Sequence, residues 1–112
     1  MKEIISWGDF SLLDLRIGTI LEASIFQELK KPAIKLLIDF GTAGKKKSSA
    51  QITILYSPNE LIGKQVVAII NLPSKQIANI MSECLVLGAI GLNGEVVLLQ
   101  PERRIENGSH IA

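Results

Sequence analysis

The sequence predicts an all-β fold, built as a five-stranded Greek-key barrel with short helices. Three observations lead to this prediction. Apolar and polar residues alternate through several short runs, as they do in half-buried strands. One short, well-capped helix lies between the third and fourth runs, and no linker or low-complexity stretch divides the 112 residues. We therefore expect a single domain over residues 1–112, with short terminal extensions.

The first two predicted strands lie within residues 11–40. In "SLLDLRIGTILEA" one face carries Leu13, Leu15, Ile17, Thr19 and Leu21. Gly18, in the middle of that run, indicates a bend or a bulge. In "PAIKLLIDF" the inward face carries Ile34, Leu36, Ile38 and Phe40. The turn residues "GTAG" then end the second strand.

A third strand and a helix come next. The run "KSSAQITI" alternates again, so the second and third strands should form a hairpin whose tip carries Lys45, Lys46 and Lys47. In "SPNELIG", Ser57 is a candidate N-cap, Pro58 suits the first helical position and Glu60 completes a capping box. We expect one short helix here.

Three further β-rich runs complete the chain: "QVVAII", "CLVLGAI" and "EVVLLQ", the last two joined by the turn "GLNG". Three strands, a short helix and at least two more strands form the element order of an OB-fold. An SH3-like barrel is the competing architecture, and the position of the helix favours the OB-fold.

Positive charge is concentrated in the middle of the chain. The net charge is only +1, yet residues 30–75 contain eight lysines against Asp39 and Glu60. The lysine run at 45–47 could be a solvated turn that protects a strand edge. Lys30, Lys31 and Lys35 flank the same hairpin, however, and this face of an OB-fold usually holds oligonucleotides, so we predict binding of an anionic partner here.

The aromatic content favours one kind of nucleic acid over another. Single-strand binding depends on aromatic platforms for stacked bases. The chain has only five aromatic residues, and Phe40 belongs to the predicted inward face. Contact with the backbone and shape of a folded RNA is therefore the better expectation.

Catalysis and metal binding are hard to build from this sequence. The one histidine, His110, lies close to the C-terminus, where we expect a frayed tail. Cys84 lies in an alternating apolar run, so a buried thiol is a better interpretation than a nucleophile. With one His, one Cys and no clustered carboxylates, a zinc site cannot be assembled within the chain. We predict no enzyme activity, no metal and no cofactor.

A second candidate surface lies in "NLPSKQIANIMSE", residues 71–83. Between two strands we would expect polar residues, but this stretch contains Leu72, Ile77, Ile80 and Met81. It could fold over one end of the barrel as a plug. If the side chains are exposed, they form a peptide-binding groove or a subunit contact instead.

The expected environment is the cytoplasm. No apolar run is long enough to span a membrane, the N-terminus lacks the order of a signal peptide, and a single cysteine suits a reducing compartment. The mean hydropathy of +0.33 is high for a monomer and makes a homo-oligomer plausible.

Six segments carry a resemblance to a known family: "DLRIGTI", "PAIKLLIDFG", "KSSAQIT", "LIGKQVVAIINLPSKQIA", "SECLVLGAI" and "GEVVLLQPE". Together they resemble the tRNA-binding OB domain shared by CsaA-type export-related chaperones, by C-terminal extensions of methionyl-tRNA synthetase and by the endothelial-monocyte-activating-polypeptide group. The similarity extends from about Leu12 to Ile111 in matching order. Of these three groups, the CsaA type is the most similar in chain length and in the residues of these segments.

The resemblance implies a homodimer joined partly through its terminal segments, binding of tRNA-like RNA, and a role in assisting unfolded or exported proteins. By position it implies an RNA-facing role for Arg16, Asn71, Lys75, Ser82 and Glu83, and less strictly for Lys45, Lys46 and Lys47. Relatives tend to have more basic residues after the fourth strand, where this chain has Gln76, Asn79 and Met81. This departure predicts weaker RNA binding and a preference for peptide.

Two functional hypotheses follow. The first is a non-catalytic, CsaA-like protein-export chaperone that binds unfolded or presecretory polypeptides and can also bind tRNA. The alternative is a stand-alone tRNA-binding auxiliary of the synthetase-associated type without a chaperone role. A purely structural subunit of a larger complex is a third, weaker hypothesis.

Overall fold

Two α-helices, nine strands and one 3₁₀ turn follow one another in the computed structural model, which describes residues 1–28 and 30–112. The helices are α1 (Trp7–Ser11) and α2 (Pro58–Leu61). The strands are β1 (Leu15–Ile25), β2 (Ile34–Asp39), β3 (Lys45–Ala50), β4 (Gln65–Ile69), β5 (Lys75–Ile77), β6 (Ile80–Ser82), β7 (Leu85–Val86), β8 (Gly88–Ile90) and β9 (Val96–Leu98). No helix in this described part of the chain is long and apolar enough to cross a membrane.

Five strands form a nearly closed barrel in the order β3-β2-β1-β4-β7, and each neighbouring pair is antiparallel. Helix α2 lies between β3 and β4, so the predicted OB-fold is confirmed. The backbone N–H of Ser57 donates to the Glu60 carboxylate at 2.8 Å, as the predicted capping box requires. Two hairpins, β5–β6 and β8–β9, form separate small sheets.

The barrel interior follows the alternation of β2 but not the alternation of β1. Ile34, Leu36, Ile38 and Phe40 are all buried, as predicted. In β1, however, Gly18 and Ile20 face them, and the pairing register shifts between Ile20 and Glu22. The predicted bulge therefore exists, but it lies beyond Gly18. A Cβ on Gly18 would lie 2.6 Å from Ile38 Cγ2, so the glycine makes room for the packing of β2.

The hairpin tip between β2 and β3 contains no lysine, which corrects the sequence prediction. Gly41–Ala43 forms a 3₁₀ turn, and Gly41 and Gly44 adopt φ values of +64° and +90°. Strand β3 begins immediately afterwards, and Lys45, Lys46 and Lys47 pair with Asp39, Ile38 and Leu37. Because the two glycines close the turn early, the lysines lie in the strand.

Two other apolar stretches are organised differently from the predictions. The run "CLVLGAI" is divided: β7 stays in the barrel, and β8 leaves it to pair with β9. Residues 71–83 contain the β5–β6 hairpin, whose second strand, β6, contacts β3. Leu72 and Met81 are exposed, so the plug interpretation is wrong for these two side chains.

The C-terminal strap, residues 104–111, is bound to the barrel and does not fray. Gln65 donates from Nε2 to the Ile105 carbonyl at 2.6 Å and accepts the Ile105 N–H at 3.1 Å. Farther along, Ser109 and Ile111 form backbone hydrogen bonds with Ile17 and Leu15 at 3.0 Å. The expectation of a frayed tail at His110 is therefore wrong.

Candidate RNA and peptide site

The first part of the candidate site is the outer face of β2 and β3. Strand side chains alternate between faces, and the inward positions of β2 are its buried apolar residues. Lys35 and Leu37 therefore point outward, together with their partners Ser49 and Lys47 on β3. A cavity of about 380 Å³ lies on this face. Its lining includes Lys35, Lys47, Glu22, Ser24, Leu37 and Ile80.

The three consecutive lysines do not share one face. Lys45 and Lys47 point outward, whereas Lys46 lies opposite the buried Ile38 and is itself half-buried. This follows from the period of two along a strand. Lys45 and Lys47 thus join Lys35 on the outer face, and Lys46 lies at the edge of the barrel interior.

The lysines of this face are not neutralised by close ion pairs. Within residues 1–28 and 30–112, the ion pairs closer than 4.0 Å join Asp14 to Arg16 and Glu102 to Arg103. The Lys35 ammonium group lies 5.1 Å from the centroid of the Phe26 ring, which orients it without neutralising it. These positive charges remain available to an external anion.

Glu83, predicted to face RNA, is instead committed to closing the barrel. Its N–H donates to the Lys47 carbonyl at 2.8 Å, and its carboxylate accepts the Lys47 N–H at 2.9 Å. The Ser48 hydroxyl adds a 2.9 Å bond to the Cys84 carbonyl. The Glu83 carboxylate thereby replaces a backbone acceptor at the junction between β3 and β7.

Arg16 and Asn71, also predicted to face RNA, are both engaged around Asp14. Arg16 donates from Nε and Nη2 to the two Asp14 carboxylate oxygens at 2.7 and 3.2 Å. Asn71 accepts the Asp14 N–H at 2.9 Å and donates to the Leu12 carbonyl at 2.7 Å. The structure therefore places these residues together at the start of β1, away from the lysine face of β2 and β3.

The second part of the candidate site is a cavity of about 230 Å³ beneath the β5–β6 hairpin. Its lining includes Leu72 and Ile77, both predicted to bind peptide, and Lys75 and Ser82, both predicted to bind RNA. Lys75 and Ser82 are direct cross-strand partners. Residues predicted to bind two different ligands, peptide and RNA, thus line one cavity. Ser49, Pro73, Cys84 and Leu85 complete it. The other two predicted peptide residues lie elsewhere, because Ile80 lines the first cavity and Met81 is exposed.

Cys84 lines the same cavity without being a reactive group. Burial raises the pKa of its thiol from 9.0 to about 11, a rise that a hydrogen bond with Ser48 only partly offsets. The thiol is therefore protonated at neutral pH and a weak nucleophile. No cluster of three metal-binding side chains occurs among the described residues.

One basic patch was missed by the sequence analysis. Lys64, Arg103 and Arg104 line a cavity of about 330 Å³ where the strap meets the turn before β4. Arg104 donates to the Gly63 carbonyl at 3.1 Å, which holds the strap at this point. The two arginines occur in an acidic part of the sequence, and only the path of the strap brings them to Lys64. No sequence signal predicts that contact.

Comparison with known proteins identifies the family of this barrel. The profile of the family described as "Putative tRNA binding domain" matches residues 15–110. The chain belongs to this family. The tRNA-binding domain was recognised correctly from the six sequence segments, since residues 15–110 fall within the predicted extent of the resemblance.

Solved structures of similar proteins match nearly the whole chain. The chaperone CsaA from Bacillus anthracis is 51% identical, with a TM-score of 0.94 over 98% of this chain and 100% of that one. The CsaA chaperone protein from Picrophilus torridus is 53% identical, with a TM-score of 0.90 over 97% and 100%.

Methionine–tRNA ligases contain a related segment. The enzyme from Methanococcoides burtonii is 36% identical over 98% of this chain, and the one from Archaeoglobus fulgidus is 40% identical over 98%. The chain spans only 16% of the length of each ligase. The similarity is therefore to a tRNA-binding domain and includes little else of these enzymes.

Proposed function

We propose that this protein is a non-enzymatic, CsaA-like chaperone of the cytoplasm, a single domain that acts as a homodimer. It binds unfolded or presecretory polypeptides at the cavity beneath the β5–β6 hairpin and holds tRNA-like RNA on the lysine face of β2 and β3. One observation carries the proposal. Lys35, Lys45 and Lys47 lie on one outer face and have no close ion pair within the part of the chain that the structure describes, and the apolar cavity beside this face also contains Lys75.

RNA is the appropriate anion for this face. Each phosphate that meets a lysine releases bound counterions, so binding should be strong at low salt and weak at high salt. Phe26 and Phe40 are buried, and the Tyr56 hydroxyl accepts the Leu98 N–H, so none of the three is free to stack on bases in this conformation. The exposed Trp7 and Phe10 belong to α1 and not to the lysine face of β2 and β3. Contact with the phosphates of a folded RNA remains the best supported mode.

The dimer is supported by the amount of exposed surface. A compact monomer of 12.2 kDa would expose about 6,100 Å², whereas this chain exposes 7554 Å². A standard interface buries roughly 800 Å² on each partner, so the excess is large enough for one. Ile4, Ile5 and Trp7 contribute exposed apolar area near the N-terminus.

The RNA part of the proposal is tested by reversing charge on the lysine face. We expect the triple variant Lys35→Glu, Lys45→Glu, Lys47→Glu to lose most tRNA retention at low salt. Filter binding across a salt series measures this. The matched control is Lys2→Glu, Lys64→Glu, Arg103→Glu, which changes net charge equally at other positions. Equal loss in both variants would contradict a localised RNA face.

The alternative function is a dedicated tRNA-binding auxiliary without chaperone activity. The relationship to methionine–tRNA ligases favours it. The pair Leu72→Ser and Ile77→Ser, at two apolar residues that line the cavity, separates the two functions, with Ile90→Ser and Leu92→Ser as a control on another exposed apolar hairpin. Chaperone function predicts that only the first pair reduces protection of an unfolded client from aggregation, with RNA binding intact. If neither pair changes client protection, the auxiliary is favoured.

A further inference from the structure

The barrel has an incomplete seam between β3 and β7. Both strands run parallel to β1, because each is two antiparallel steps away from it in the sheet. The Glu83 N–H donates to the Lys47 carbonyl, and a regular parallel pair would continue with the Ser49 N–H donating to the Glu83 carbonyl. Among the described residues that second bond does not form. Backbone pairing across the seam therefore ends at Lys47, and the Ser48 hydroxyl, which donates to the Cys84 carbonyl, makes the next bond across it.

The peptide group atoms of Ser49 face this seam. Alternate residues of a strand direct their N–H and C=O to the same edge, and those of Lys47 point to the seam. Ser49 is two residues further along an unbroken register with β2, so its N–H and C=O point the same way. Neither has a hydrogen-bond partner within residues 1–28 and 30–112. Ser49 is only half-buried, so these groups are accessible to an external partner.

The cavity beside Ser49 is suited to one apolar side chain. Its lining includes Leu72, Pro73, Ile77 and Leu85, and its volume is about 230 Å³. Pockets for drug-sized molecules usually have about 300–1,000 Å³, so this one is too small for most of them. Lys75 supplies a positive charge at the same wall. An apolar side chain followed by an acidic one would complement this lining.

We propose that an extended polypeptide segment binds by adding to the edge of β3 at Ser49. Its backbone pairs with the Ser49 N–H and C=O, one apolar side chain enters the cavity, and a neighbouring carboxylate meets Lys75. The proposal rests on the chaperone function proposed above and specifies how the client is held. Strand addition of this kind takes affinity from the main chain and selectivity from alternate side chains.

The decisive test uses the two edges of a short peptide. The probe is an acetylated, amidated hexapeptide of threonines with one central leucine and one aspartate two residues later. N-methylation of alternate amides along one edge should weaken binding at least about tenfold, because the backbone bonds to Ser49 are lost. N-methylation along the other edge should change the Kd less than about threefold. Leu→Ser should also weaken binding about tenfold or more, and Asp→Lys about threefold or more.

Protein variants provide a second test by NMR titration. The Ser49 amide should shift and become protected from hydrogen exchange when the peptide binds. Ser49→Ala keeps the backbone donor and should bind normally, whereas Ser49→Pro removes the donor at an unpaired edge position and should bind weakly. If Ser49→Pro does not fold, the peptide methylation series still decides the question.

Strand addition is overturned by equal affinity of both methylated series or by an unchanged Ser49 amide at saturation. If client protection and RNA retention persist in that case, the proposed function stands and only this mode of binding fails. If no peptide binds, strand addition fails as well. The proposed function fails only if client protection and RNA retention are also absent.

Discussion

Gly18 lies at the tightest point of the barrel interior. An added Cβ would lie 2.6 Å from Ile38 Cγ2 and 2.7 Å from Phe40 Cδ1, and both of those residues are fully buried. We therefore expect Gly18→Ala to lower the free energy of unfolding by about 1–3 kcal/mol through overpacking. Urea unfolding followed by circular dichroism measures it.

Gly8→Ala is the matched control for this change. Gly8 lies in the exposed helix α1, where the nearest atom to an added Cβ is Ser6 Oγ at 3.6 Å. Alanine is the better helix former, so stability should be equal or slightly higher. A Gly18→Ala protein as stable as the wild type would show that the interior has spare room.

The Cys84 thiol makes stability depend on alkaline pH. Burial raises its pKa from 9.0 to about 11, so between these values the folded state keeps a proton that the unfolded state loses. The protonated thiol contributes roughly 3 kcal/mol to the free energy of unfolding. This contribution is complete below pH 9 and is lost as pH rises toward 11. Cys84→Ala should have a shallower decline of unfolding free energy over this range.

The measurement is the difference between the two pH profiles, because the other titrating groups are common to both proteins. Native Cys84 should also react slowly with iodoacetamide at pH 8 and rapidly after unfolding. Parallel pH profiles together with fast native alkylation would contradict a buried, protonated thiol.

At the scale of elements, the strap depends on Gln65. This buried side chain forms hydrogen bonds with the Ile105 N–H, the Ile105 carbonyl and the Asn107 side chain. We expect Gln65→Ala to cost about 2–3 kcal/mol, since net hydrogen bonds contribute about 1 kcal/mol each. Proteolysis within residues 104–111 should become faster.

Gln51→Ala, at an exposed residue, is the control for the strap. It should leave both stability and proteolysis unchanged. If Gln65→Ala is cleaved no faster than this control, the strap is held by its other contacts, such as the backbone bonds to Ile17 and Leu15.

The elements that the sequence predicts well are those specified by local chemistry. Strand β2 alternates cleanly because one face meets the core and the other meets solvent, and α2 is specified by its capping box. Strand β1 was less predictable. Its second face is covered by the strap, and its bulge depends on pairing with β2, so both faces are apolar for reasons that arise far along the chain.

The residue types of the candidate site could be predicted from the sequence, but the positions and directions of its side chains could not. The concentration of lysines is visible in the sequence, but which of them point outward depends on where the turn after β2 ends. The resemblance predicted an RNA-facing role for Arg16, Asn71 and Glu83, yet each uses its polar groups in internal bonds that only the folded chain reveals. The patch of Lys64, Arg103 and Arg104 likewise depends on the strap.

At the scale of the whole molecule, the exposed surface predicts self-association. The radius of gyration is 14.1 Å, against about 13 Å for a compact chain of this length. We expect light scattering after gel filtration to give twice the mass of the single chain. Ile4→Ser with Trp7→Ser should shift the protein toward the monomer because it removes apolar contact area.

Ile54→Ser with Ile62→Ser is the control, since these residues are also exposed and apolar but lie away from the N-terminus. This pair should leave the dimer intact. A wild-type protein that runs as a monomer at tens of micromolar would contradict the proposed dimer.

The position of Trp7 has a practical consequence. It is the only tryptophan of the chain, and it is 92% exposed on a helix with no buried residue. Its fluorescence emission should therefore be close to that of a free indole in water and change little when the barrel unfolds. Whatever covers the N-terminal segment will shift that emission to shorter wavelengths, which makes Trp7 an intrinsic optical reporter of assembly.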